Sequence, residues 1–144
     1  MPRATVTDVT MHIGELAERT GLSLRTIRHY DEVDLLRPSG RTDGGFRLYT
    51  ERDLEQLLLI RRMRPLGFSL EQMREMLSVV DQLSSRSPPS REQVALRARL
   101  AEFLDTARAK REEMVRQLRM ADELIALLPG FRSWWACGRV GFGC

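Results

Sequence analysis

Residues 11–32 read MHIGELAERTGLSLRTIRHYDE, and this stretch decides the fold. Ile13, Leu16 and Ala17 recur at i, i+3 and i+4, so residues from Met11 to Thr20 form a first helix with one apolar face. Gly21 follows directly and suits a left-handed helix stop. Ser23 reads as the N-cap of a second helix running from Leu24 to about Glu32. Leu24, Ile27 and Tyr30 make its inner stripe. Arg25, Thr26 and His29 fall on the other side, with Arg28 at the margin. Two short amphipathic helices joined at a glycine make a helix-turn-helix.

The character changes after this pair. Leu35-Leu36 is apolar, and then Pro38, Gly40, Gly44 and Gly45 break any helix. Asp43-Gly44 is a hairpin signal, and Phe46-Arg47-Leu48-Tyr49 alternates as a strand does. The expectation is a two-stranded ribbon carrying Arg41 and Arg47, which makes the unit a winged helix-turn-helix. Thr50 caps a third helix, with Asp53 completing a capping box and Leu54, Leu57, Leu58 and Met63 on its apolar face. Gly67 ends it. Ser69 caps a fourth, whose inward residues are Leu70, Met73, Met76 and Leu77. A Ser/Pro-rich stretch follows, and residues 81–89 read as a linker after a domain spanning 11–80.

From Ser90 to Leu127 there is no glycine or proline. That predicts one helix of about 38 residues, roughly 57 Å long at 1.5 Å per residue. Leu100, Leu104, Ala107, Met114, Leu118, Ala121, Ile125 and Leu128 lie along it in steps of three and four, with Arg111 at one seam position. A lone helix cannot bury such a stripe. Pairing with a second copy through a coiled coil over 90–128 is the economical reading, and folding back onto its own domain is the other. Pro129-Gly130 is expected to end the helix, leaving a tail of residues 129–144. The fold class expected is therefore mainly α: a winged helix-turn-helix with a small β-ribbon, then a long dimerisation helix.

Composition narrows the function. The chain has 144 residues, 42% hydrophobic and 30% charged, a balance that excludes a disordered or membrane-embedded chain. No apolar run is long enough to span a bilayer, and Met1 to Thr10 lacks the apolar core of a secretory signal, so a cytoplasmic location is expected. Met11 is an alternative start. There is no HExxH, GxSxG, Walker loop or GxGxxG, and His12 and His29 are the only histidines, so an enzyme is not expected. The net charge of +3 permits a nucleic-acid partner without demanding one. It arises wholly after Val80, since Met1 to Val80 holds 12 basic and 12 acidic residues. All basic residues but Lys110 are arginine, whose fork suits phosphate and base edges.

Five short motifs carry a resemblance to a known family. They are Ile13-Gly14-Glu15-Leu16-Ala17, Thr26-Ile27-Arg28-His29-Tyr30-Asp31, Leu35-Leu36-Arg37-Pro38, Gly45-Phe46-Arg47-Leu48-Tyr49 and Leu66-Gly67-Phe68-Ser69-Leu70. Together they resemble the MerR family of bacterial transcription regulators, over residues 13 to 77. The resemblance implies binding to palindromic double-stranded promoter DNA as a homodimer joined by an antiparallel coiled coil. It implies that the dimer bends and untwists an overlong promoter spacer, and so reaches RNA polymerase through the DNA. Two positions depart from the family pattern. Asp34 stands where glycine is usual before the Leu-Leu pair, and Phe46 where tyrosine is usual. Asp34 should accept the left-handed turn at a modest cost, and Phe46 retains only packing or wedging.

In that frame Arg25, Thr26 and His29 face the major groove from the recognition helix, Arg25 as a bidentate partner for guanine. Arg28 contacts phosphate or pairs with an acid such as Asp31. Ser23 caps the helix and reaches phosphate. Arg41, Phe46 and Arg47 are wing contacts, and Tyr49 is expected to donate to a phosphate. The eight seam residues from Leu100 to Leu128 form the dimer interface. In metal-sensing relatives cysteines lie just past the dimer helix, as Cys137 and Cys144 do here, spaced C-x6-C among glycines. Two thiolates suit a soft ion. An aromatic pocket from Phe131, Trp134 and Trp135, or no effector at all, are the other readings of the tail. Two alternatives to promoter regulation stand: an architectural, excisionase-like DNA-bending protein, and a coiled-coil interaction module with the helix-turn-helix as scaffold.

Overall fold

The computed structural model describes residues 9–85 and 90–138, with side chains as far as residue 132. Two compact units divide the chain, Met1–Phe103 and Leu104–Cys144.

In the first unit, α1 (Ile13–Thr20) ends at Gly21, whose φ of 69° allows its N–H to reach the Ala17 carbonyl at 2.9 Å. The buried Thr20 hydroxyl donates to the Leu16 carbonyl at 2.7 Å, and Arg61 of a later helix caps the Thr20 carbonyl at 2.8 Å. This arrangement fixes the turn into α2 (Leu24–Glu32), where the Ser23 hydroxyl accepts the Thr26 N–H at 3.1 Å. Leu16, Ile27 and Tyr30 are buried, as the periodicity requires. Leu24, expected inside, is 40% exposed. As the first residue of α2 it projects beyond the core that its later turns cover.

The wing differs from expectation in two ways. Met11–His12 is a strand, β1, and not the first turn of α1. It pairs antiparallel with β3 (Arg47–Tyr49), which also pairs with β2 (Gly40–Arg41), giving a three-stranded sheet in the order β1-β3-β2. Two residues are too few to show period two in sequence, and the pairing brings Met11 to 3% exposure. In the hairpin, positive φ falls on Gly45 (81°) rather than on Gly44. The Gly45 N–H closes a turn onto the Thr42 carbonyl at 2.8 Å, and the Thr42 N–H reaches Phe46 at 2.9 Å. That is a longer loop with a left-handed last residue, not the two-residue Asp-Gly turn.

Helix α3 (Glu51–Met63) starts with the expected capping box, and a 3-10 turn (Arg64–Leu66) ends at Gly67. Helix α4 (Leu70–Ser84) starts with a second box, formed by Ser69 and Gln72. It continues four residues into the stretch read as linker, and residues 86–89 of that stretch lie outside the described residues. Its first residue, Leu70, is 39% exposed rather than inward, for the same terminal reason as Leu24. Leu54, Leu57, Ile60, Met63, Met73, Met76, Leu77 and Val79 complete the core.

Helix α5 runs from Arg91 to Gly138, 48 residues, straight through Pro129. The expected stop there is not observed. Proline's own φ is helical, and its cost falls on the Ile125 carbonyl that loses a donor. Residues 121–132 are all exposed, so water can satisfy that carbonyl and the helix persists.

Candidate nucleic-acid interface

Helix α2 presents Arg25, Arg28 and His29 as exposed side chains, with Thr26 half-buried beside them. No carboxylate among the described residues pairs with Arg25 or Arg28, so both guanidinium groups are available. The alternative partner for Arg28, Asp31, is engaged elsewhere. Ser23 is exposed but already busy: besides the Thr26 N–H, its Oγ lies 2.8 Å from Thr26 Oγ1.

The wing stands beside the C-terminal end of α2. The Asp31 carboxylate accepts the Arg47 Nε–H at 2.7 Å and lies 3.7 Å from Arg41 Nη2. Arg41 also donates to the Gly45 carbonyl at 3.0 Å. Phe46 is 69% exposed at the tip, its ring lying over Gly44, where an added Cβ would come within 3.3 Å.

Tyr49 is not on this surface. Its side chain is fully buried and its hydroxyl is sealed beneath the sheet, which overturns the expected phosphate contact. Burial pushes its phenol above the usual range, and the Asp31 charge adds to the effect. The third strand places Met11, itself buried, beside Tyr49 as its partner across the sheet.

One cation escaped the sequence reading. Arg64, in the 3-10 turn, sits with its guanidinium 6.0 Å from the Tyr30 ring centre, and it lines one groove with Arg25, Arg28, His29, Phe68 and Met73. Only its place between Met63 and Pro65 was visible in sequence, and nothing there showed that the turn folds back to α2. Behind the groove, Phe68 meets Phe103 of α5 edge-on at 6.4 Å between ring centres. Arg99 lies 4.6 Å over the Phe103 ring and is bidentate to Glu75, at 2.5 and 2.7 Å. The pairing holds the Glu75 carboxyl below its ordinary value. So the start of α5 is bolted to α4 through a residue that is not part of the heptad stripe.

In the second unit the seam residues Leu104, Met114, Leu118, Ile125 and Leu128 are 44–65% exposed. Leu100, in the first unit, is 38% exposed. Exposed apolar side chains repeating at heptad spacing on one helix form an unpartnered stripe. The Cys137 side chain and the whole of Cys144 lie outside the described residues, as do the Trp134 and Trp135 side chains. Among the described residues no group of His, Cys, Asp and Glu is arranged to hold a metal ion, and no helix is long and apolar enough to cross a membrane.

A helix-turn-helix with unpaired arginines on its second helix, a basic wing and a long trailing helix defines a class, the winged helix-turn-helix regulators. The chain belongs to the MerR family within it. Residues 11–79 match the family model described as the MerR HTH family regulatory protein, and residues 54–128 match the one described as MerR, DNA binding. Residues of this chain are 52% identical over 67 positions to the transcriptional regulator ZntR of Escherichia coli K12, covering 46% of this chain and 48% of that one. They are 35% identical over 120 positions to CueR of Vibrio cholerae, covering 83% and 82%. The chain thus spans about half the length of the first curated relatives it matches, and most of CueR. Among solved structures it is similar to HiNmlR, a MerR family regulator lacking the sensor domain, bound to promoter DNA. The TM-score is 0.64, at 25% identity, over 90% of this chain and 96% of that one.

Proposed function

We propose that this protein is a transcription regulator that binds palindromic promoter DNA as a homodimer and controls RNA polymerase by bending and untwisting an overlong promoter spacer. The observation that carries the reading is the outer face of α2, where Arg25 and Arg28 are exposed and unpaired beside His29 and next to the arginine-bearing wing. Unpaired guanidinium groups on a recognition helix meet base edges and phosphates at no cost of a broken ion pair. HiNmlR, of similar fold and length, is seen on promoter DNA. The α5 stripe supports a second copy, since its leucines Leu100, Leu104, Leu118 and Leu128 remain 38–63% exposed on a single chain. Two winged units joined at a fixed separation grip two half-sites, and a spacer of the wrong length is then accommodated only by deforming the duplex.

Selection from random duplex DNA tests this reading. A palindrome should be recovered, bound in the 10 nM range or tighter with a steep salt slope. Arg25→Ala with Arg28→Ala should weaken it at least about a hundredfold, the sum of two base or phosphate contacts. Sedimentation should show the dimer intact. Recovery of no palindrome would refute the reading. Activation in purified transcription from an overlong spacer, and none from a spacer of ordinary length, separates regulation from DNA bending alone.

A further inference from the structure

The β2–β3 hairpin contains a conflict that a neighbouring helix resolves. Arg41 and Arg47 are direct partners across the two strands. Like charges opposite one another destabilise a strand pair. The side chain that answers both comes from neither strand. Asp31, in the last turn of α2, accepts Arg47 Nε at 2.7 Å and stands 3.7 Å from Arg41 Nη2. Its side chain is only 16% exposed and that of Arg47 26%, so this pair is screened far less than a surface pair. Arg41 is tied again through the Gly45 carbonyl at 3.0 Å. One carboxylate thus sets the position of both wing cations, relative to each other and to α2.

Its charge has a cost in the setting proposed above. A carboxylate among the groups that approach DNA lowers attraction to every phosphate, whatever the sequence. We infer that Asp31 is a specificity-determining positioning residue: it locks the wing to the recognition helix, so that both engage one duplex in a single register, at the expense of non-specific affinity. The inference rests on the DNA-binding reading, and it separates two quantities that a merely structural residue would move together.

The test uses the full chain, the selected palindrome and a random duplex of equal length. Asp31→Asn should bind the random duplex more tightly, with a salt slope steeper by about one charge per protomer. It should bind the palindrome less tightly, so the specific-to-random ratio falls about tenfold, the size of one lost pairwise coupling. Asp31→Glu, which keeps the charge, should recover more than half of that ratio. With Arg41→Gln and Arg47→Gln already present, Asp31→Asn should change the ratio by less than about twofold, because the residue acts through those side chains. An unchanged ratio in Asp31→Asn overturns the inference, as does a parallel loss of both affinities with a fall in melting temperature. A full-sized effect of Asp31→Asn without the two arginines overturns it as well. If the unmodified protein shows no preference for any palindrome, the DNA-binding reading fails first, before any substitution is made.

Discussion

Gly21 and Asp34 both hold left-handed backbone, with φ of 69° and 63°, and they do so by different means. Gly21 has no Cβ to strain. Gly21→Ala places one there, with Arg61 Nη1 at 3.9 Å, so space is adequate and the cost is conformational. The expected loss is about 1 kcal/mol, a fall of about 4–8 °C in melting temperature for a domain of this size; circular dichroism would measure it. Asp34 keeps its conformation by being tied down. Its carboxylate pairs with Arg37, which holds its pKa below the usual range, and Arg74 donates to the carbonyls of Val33 at 2.7 Å and Asp34 at 3.3 Å. The turn survives without glycine, as expected from its tolerance in aspartate. Arg74, 40 residues away, was not foreseeable as its clamp. Tyr49 makes the complementary point. Its residue type was compatible with a phosphate contact, and only strand pairing to Met11 shows it to be core.

Helix ends were the most legible elements, because a cap needs only residues three apart. Thr50 accepts the Asp53 N–H at 3.3 Å, and Asp53 accepts the Thr50 N–H at 2.8 Å. Asp53 also accepts the Ser39 hydroxyl at 2.6 Å, anchoring the approach to the wing. Thr50→Ala should destabilise the protein by about 1 kcal/mol, read as a lower urea midpoint at unchanged slope. Helix faces were less legible. The heptad steps in α5 pick out Leu100 and Leu104, yet the residue that docks is Phe103, 3% exposed against Phe68. Periodicity identifies an apolar stripe and cannot say that a neighbouring position meets a different partner. Phe103→Ala should cost about 3–5 kcal/mol by leaving a cavity. Leu104→Ala should cost the monomer much less, since Leu104 is half-exposed. Denaturant melts of the two variants would decide this.

For the whole molecule, the exposed seam predicts concentration-dependent association. Leu118→Glu places a charge where two copies would meet and should shift the protein to monomers in sedimentation equilibrium. Palindrome affinity should fall at least about tenfold as the second half-site is lost. Acid should also loosen the protein in a defined direction. Hydrogen bonds from Arg19, Arg37, Arg99 and Arg116 depress Glu51, Asp34, Glu75 and Glu113 respectively. A carboxylate whose folded pKa is depressed contributes stability that is fully present above its unfolded value and is lost as pH falls through the folded one. Melting temperature should therefore hold from neutrality down to near the ordinary glutamate value of 4.5 and fall below it. Glu75→Gln should flatten part of that fall.

The order of the helices, their caps, the stop glycines Gly21 and Gly67 and the family were legible in the sequence, because each depends on residue types a few positions apart. The same holds for the cations on α2, whose outward direction follows from helical period alone. Tertiary structure decided the rest. It took Met11–His12 into the sheet and Tyr49 into the core, and it turned Phe103 toward Phe68. It gave Asp31 to the wing arginines rather than to Arg28, and it carried α5 through Pro129. Each of these is settled by a partner 10 to 38 residues away, or by whether water can reach one carbonyl. Neither depends on local spacing, so no reading of neighbours along the chain contains it.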